Sequence, residues 1–169
     1  TWGDILCLDC HRQLEPHGGT FLFDGERRCR IAYFYNRFLQ EIFRRYKFRE
    51  QAELAKPLGQ LLANDLAAAP PGAFTCIVPV PMHPKARKRR GYDQVRLLAD
   101  TLQEQTGLLV IEGLVKTRDT KEQNKLSRTE RAHNLAGAFS LRRGAELSGH
   151  RVLLLDDLVT TGNTLKTAA

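Results

Sequence analysis

The chain has 169 residues, 42% hydrophobic and 27% charged, the balance of one globular domain and not of a disordered or fibrous chain. Its 26 Lys and Arg against 19 Asp and Glu leave a net charge of +7, which favours anionic partners, nucleic acid or phosphorylated small molecules, without specifying a fold. No apolar run approaches the roughly 18 residues of a membrane span, and no secretory apolar region opens the sequence, so a cytoplasmic location is expected.

Residues 1–30 form the first expected unit, a small cysteine-containing module. Turn formers (Pro16, Gly18, Gly19, Gly25), charges and three of the four cysteines dominate it. With so little apolar surface it needs a staple to fold. Cys7 and Cys10, spaced CxxC, offer the thiolate bite of a tetrahedral Zn²⁺ site. Two ligands do not close such a site, and Cys29, His11 and His17 are the nearby candidates to complete it. A redox role for CxxC needs a thioredoxin-like βαβ setting, which the surroundings lack. Cys76 lies in an apolar run and reads as a small buried residue.

Residues 31–72 form the second unit, a strand and helical linker region. A short strand is expected over 31–35. Asn36 then caps a helix with Phe38, Ile42, Phe43 and Tyr46 on one face. A second helical stretch, 51–68, is striped by leucines, and Pro57 inside it predicts a kink or a restart. Residues 67–72 (AAAPPG) end it.

The third unit, 73–169, is an α/β core. Residues 74–80 and 151–155 are continuous apolar runs of the kind that form strands buried on both faces. A Pro- and cation-rich loop is expected over 81–91, then a helix through Val95, Leu98, Ala99 and Leu102 with Asp93 as its cap. A strand over 108–111, a polar aperiodic loop over 117–134 and an edge strand over 136–141 follow. The order points to a Rossmann-like sheet of mainly parallel character. The chain starts at Thr1 and stops at Ala169, barely a turn into a helix, and both ends are expected to be cut from something longer.

The segment 152–164 carries the most chemistry. An apolar strand runs into Asp156 and Asp157, then into Thr160, Thr161, Gly162, Asn163 and Thr164, which open a helix. Open α/β sheets bind ligands beyond the carboxyl ends of their strands, and the first amides of the following helix point outward for an anion. Gly162 permits close backbone approach. Threonine hydroxyls add donors to a phosphate. Two acids beside a phosphate would repel it unless the ligand also brings hydroxyls, so Asp156 and Asp157 imply a sugar phosphate. The same acids can hold water of a Mg²⁺ ion that enters with a pyrophosphate. Asp-Asp, two apolar residues and Thr-Thr-Gly-x-Thr resembles the signature by which type I phosphoribosyltransferases bind phosphoribosyl pyrophosphate (PRPP).

Further segments narrow the resemblance. Val78, Pro79, Val80 and Pro81, the basic stretch, and then Arg90, Gly91, Tyr92, Asp93 and Gln94 resemble the VPVP…RG(F/Y)NQ block of the ComF/GntX family. Thr117, Gln123, Leu126, Arg131, Asn134, Gly137, Ala138 and Phe139 are similar to its next block, and Tyr46, Lys47, Phe48 and Arg49 to an upstream element. Asp93 departs from the pattern, where Asn is usual. The resemblance covers about 31–169 and implies a type I phosphoribosyltransferase fold, a PRPP site with Asp156 and Asp157 as its catalytic acids, and a role in DNA uptake during natural transformation with a competence-machinery partner. It leaves the acceptor open. It also implies a zinc module of two CxxC pairs, of which Cys7 and Cys10 would be the downstream one.

In the family fold the basic stretch faces the phosphate turn, which makes Arg89 and Arg90 the residues for pyrophosphate, whose charge builds as it leaves the ribose. The cluster of Lys85, Arg87, Lys88, Arg89 and Arg90 equally suits the backbone of single-stranded DNA, or a solvated loop. Residues 117–134, with Lys121, Lys125, Arg128 and Arg131, are either a hood that closes over PRPP or a plain connector. Tyr92 either stacks on a base or covers a helix start. Two other functions stay open: a nucleobase salvage transferase, and a non-catalytic module for single-stranded DNA.

Overall fold

The structure, a computed structural model, describes residues 7–22, 27–48, 51–118 and 137–169. A short helix α1 (Leu8–Arg12) leads into an antiparallel hairpin of β1 (Pro16–Leu22) and β2 (Arg28–Tyr33). Residue 30 therefore falls inside β2. The hairpin stands where a loop-rich module is expected, because β1 is exposed almost throughout and shows no buried alternation to read. It is tied to the rest of the chain by Arg30, whose Nε and Nη2 lie 2.6 and 2.8 Å from the two carboxylate oxygens of Asp65. Such a two-pronged bond fixes orientation as well as position.

Helix α2 (Arg37–Phe48) begins as expected, with Asn36 Oδ1 accepting from the Leu39 amide at 3.0 Å. Its buried face is Leu39, Ile42, Phe43 and Tyr46. A 3₁₀ turn (Ala52–Leu54) precedes α3 (Ala55–Leu66). Pro57 thus sits in the first turn of α3, where no intrahelical partner awaits its missing N–H.

The central sheet has three strands in the order β4, β3, β7, all parallel: β4 (Leu109–Val110), β3 (Cys76–Pro79) and β7 (Val152–Leu155). β3 is buried throughout, which is why it reads as an unbroken apolar run. Its alternate residues serve opposite faces. Ile77 joins Leu155 and the buried residues of α2, α3 and α5 (Gln94–Thr106), while Cys76 and Val78 pack with Leu114. Helix α5 crosses between β3 and β4, the βαβ unit expected of a Rossmann-like sheet. Asp93 caps it, accepting from the Arg96 amide at 3.1 Å.

Between Pro79 and Asp93 the expected loop contains a helix, α4 (Pro84–Arg90). His83 accepts from the Lys85 amide as its cap, Pro84 occupies the first turn, and Gly91 ends it at φ +88°. That is the arrangement that favours a helix locally, Pro just inside the start and left-handed Gly just past the end. β5 (Leu114–Lys116) pairs antiparallel with β6 (Phe139–Leu141), so the strand expected at the sheet edge over 136–141 instead stands in a separate two-stranded ribbon. The segment expected as a hood or a plain connector lies outside the described residues from 119 onwards, and with it Lys121, Gln123, Lys125, Leu126, Arg128, Arg131 and Asn134. The last element is α6 (Asn163–Ala168). No helix among the described residues is long and apolar enough to cross a membrane.

Candidate ligand site

β3 and β7 end level, since Pro79 pairs with Leu155 and the Val80 amide donates to the Leu155 carbonyl at 2.8 Å. The stretch leading to α4 and the stretch 156–162 therefore leave the sheet side by side, at the carboxyl edge where open α/β sheets hold ligands.

Beyond β7, Asp156 and residues 158–165 line one small hollow. Thr160, Thr161, Gly162, Asn163 and Thr164 thus share this hollow with Asp156, and Asp157 does not line it. Gly162 is buried at φ +73°, a conformation a residue with a Cβ adopts only with strain. Thr161 Oγ1 is buried and has no hydrogen-bond partner among the described residues. A native fold seldom leaves such a group unsatisfied unless something else meets it.

The two acids diverge. Asp156 faces the hollow, and its Oδ1 accepts from the Asp157 amide at 2.9 Å. Burial, and next the charge of Asp157, push its carboxyl up to about 7, against the opposing pull of that amide, Lys47 and Lys116. Asp157 instead faces α2 and α5. Lys47 Nζ lies 2.6 Å from its Oδ2, with the two side chains only 17% and 8% exposed. Gln94 Nε2 donates to the same oxygen at 3.3 Å.

Gln94 also links this acid to the basic helix. Its Oε1 accepts from Arg90 Nη1 at 2.5 Å, and its backbone carbonyl accepts from the buried Tyr46 hydroxyl at 2.7 Å. Arg90 is further held over the Phe48 ring, 5.3 Å from its centroid. The site thus reads Arg90, Gln94, Asp157, Lys47 in one connected row. Arg89 is exposed on α4 with Lys85, Arg87 and Lys88. Tyr92 is turned towards α2, its hydroxyl donating to the Tyr46 carbonyl and its ring 5.8 Å from that of Tyr46.

Nothing in the sequence alone marks Lys47 or Gln94, although both stand in family-like segments. A lysine near the end of an amphipathic helix looks like any solvated lysine until the partner, 110 positions away, is folded against it.

The donor set also tests the two metals. Mg²⁺ prefers near-octahedral oxygen ligands and keeps much of its water. Asp157 Oδ2 already receives an ammonium and an amide, and its side chain is only 8% exposed. The pair suits hydroxyl donors and does not suit a directly bound Mg²⁺. Cys7 and Cys10 do approach, Sγ to Sγ 3.4 Å, with the backbone and then the thiol of Cys10 holding the Cys7 thiol below its ordinary value. Among the described residues no group of three or more His, Cys, Asp or Glu gathers around a common point. Cys29 is instead buried with Val80 and Leu165.

A larger groove of about 380 Å³ opens near the carboxyl ends of α3 and α5, below the start of β3, and no titratable side chain lines it.

Competence protein ComFC of Bacillus subtilis (strain 168) is 30% identical over 164 residues, covering 97% of this chain and 64% of the relative. Competence protein F of Haemophilus influenzae is 35% identical over 136 residues, 75% of this chain and 58% of the relative. The chain belongs to the ComF family. DNA utilization protein YhgH of Escherichia coli (strain K12), 31% identical over 132 residues, covers 75% of this ComF-family chain and 57% of its own length. The chain spans only about three-fifths of these relatives, between 57 and 64%. No family model and no solved structure matches it.

Proposed function

We propose that this ComF-family chain binds PRPP or a related ribose phosphate at the turn after β7, as a phosphoribosyltransferase-type protein acting in DNA uptake. The observation that carries the reading is the buried Thr161 hydroxyl, without a hydrogen-bond partner among the described residues, in a hollow shared by Asp156 and residues 158–165. The 5′ phosphate would take the hydroxyl-and-glycine turn, and the ribose hydroxyls would donate to the acids. Mg²⁺ would enter on the pyrophosphate and not on the carboxylates. Arg90, held by Gln94 towards the acids, is the residue for pyrophosphate, with Arg89 on the exposed side. In a transfer step an acceptor would bond to C1 of the ribose as the C1–O bond breaks and its electron pair leaves with pyrophosphate. Cys7 and Cys10 would hold structural zinc together with donors outside the described residues. The DNA-uptake part rests on relatives named for competence and DNA utilization.

The test is calorimetric titration of the chain with PRPP and Mg²⁺, beside Asp156→Asn/Asp157→Asn. Binding to the parent chain and its loss in the double variant are expected. A double variant that holds PRPP as the parent does would remove the ribose assignment.

The exposed cations of α4, with Tyr35 and Phe48 exposed near the acids, favour single-stranded DNA as a second ligand of the same surface.

A further inference from the structure

Two carboxylates next to a phosphate site need a counter-charge. The family-like chemistry would draw it from a divalent metal, but the fold supplies another source. Lys47 reaches the acid pair from the last turn of α2, 2.6 Å from Asp157 Oδ2, with most of both side chains out of water. Its ammonium is steadied by the face of Phe43, 5.6 Å from the ring centroid. Gln94 meets the same oxygen. For a metal ion to bind Asp157 through Oδ2, it would have to expel a cation already desolvated in its pair, and breaking such a pair is costly.

We propose that Lys47 is a specificity-determining residue, the resident counter-ion of the acid pair, so that the site takes a ribose 5-phosphate without any divalent metal. The inference rests on the ribose-phosphate reading above. Metal dependence, where it exists, then belongs to the pyrophosphate of PRPP and not to the sugar end of the site. Gln94 is the positioning residue that keeps Oδ2 turned to Lys47 and Arg90 turned to the same acid.

The experiment titrates the chain calorimetrically with ribose 5-phosphate, once in a chelating buffer and once with Mg²⁺, for the parent, Lys47→Met and Lys47→Arg. The parent is expected to bind equally well in both buffers. Lys47→Met should weaken binding by about tenfold or more in chelator, the loss of one charge-assisted contact, and recover part of it with Mg²⁺. Lys47→Arg should keep metal-free binding. Circular dichroism of each variant establishes that it is folded, and the parent in two buffers needs no variant at all. Binding of ribose 5-phosphate by the parent only with Mg²⁺, or a folded Lys47→Met that binds in chelator as the parent does, would overturn the role of Lys47 alone. No binding in either buffer would remove the ribose-phosphate reading itself, and this inference with it.

Discussion

The Asp156 carboxyl, lifted by burial from its ordinary 3.8 to about 7, makes folding sensitive to pH in a definite direction. The folded chain holds this proton more tightly than the unfolded one. Between those two values the folded state therefore carries more protons, and stability from this group is fully present below the lower value and lost as pH rises through the upper one. Urea unfolding at about pH 4.5 and about pH 7.5 should show the parent losing stability relative to Asp156→Asn as pH rises. Parallel curves would mean that Asp156 is solvated and ordinary. Asp156 and the threonines of its turn were legible in the sequence because strand, acids, hydroxyls and glycine are contiguous. That the acids face different ways was not legible. Asp157 is turned by Lys47 and Gln94, which reach it from two other helices, and no local pattern encodes that.

Among the elements, α3 and α5 pack together through Gly59. A Cβ built there would stand 2.6 Å from both Cβ and Cγ2 of Thr101. Alanine is the better helix former by about 1 kcal/mol. Forcing two packed helices apart costs about 1–3 kcal/mol, so the clash should win and Gly59→Ala should lower the thermal midpoint. A variant that melts higher would show that the helices separate freely. The leucine stripe of α3 announced that helix, but Gly59 gave no sign of what it faces. β3 and β7 were legible as long apolar runs. β1 was not, since a ribbon exposed on both faces has no alternation to read, and β5 is too short to carry a period. The basic helix α4 had its signals in Pro84 and Gly91; its density of charge favoured a loop reading instead.

At the scale of the whole molecule, the net charge of +7 is not evenly spread, because α4 puts Lys85, Arg87, Lys88 and Arg89 on the exposed side of the site. If single-stranded DNA follows this helix, its affinity should fall steeply with salt, with a log–log slope of about −0.7 per phosphate contact. Neutralising Lys85, Arg87, Lys88 and Arg89 together should flatten that slope. An unchanged slope would place the nucleic acid elsewhere. The parallel sheet could be read in advance because it is set by burial, whereas the seating of the hairpin depends on Arg30 and Asp65, 35 positions apart.

Cys29 sits where the hairpin meets the turn, buried with Val80 and Leu165, its thiol raised by burial and then by the nearby charge of Asp156. An alkylating reagent can reach that sulfur only while its contact with Val80 and Leu165 has opened. The cysteine is thus a built-in clock for that opening, with Cys76, sealed inside β3, keeping slower time for the core.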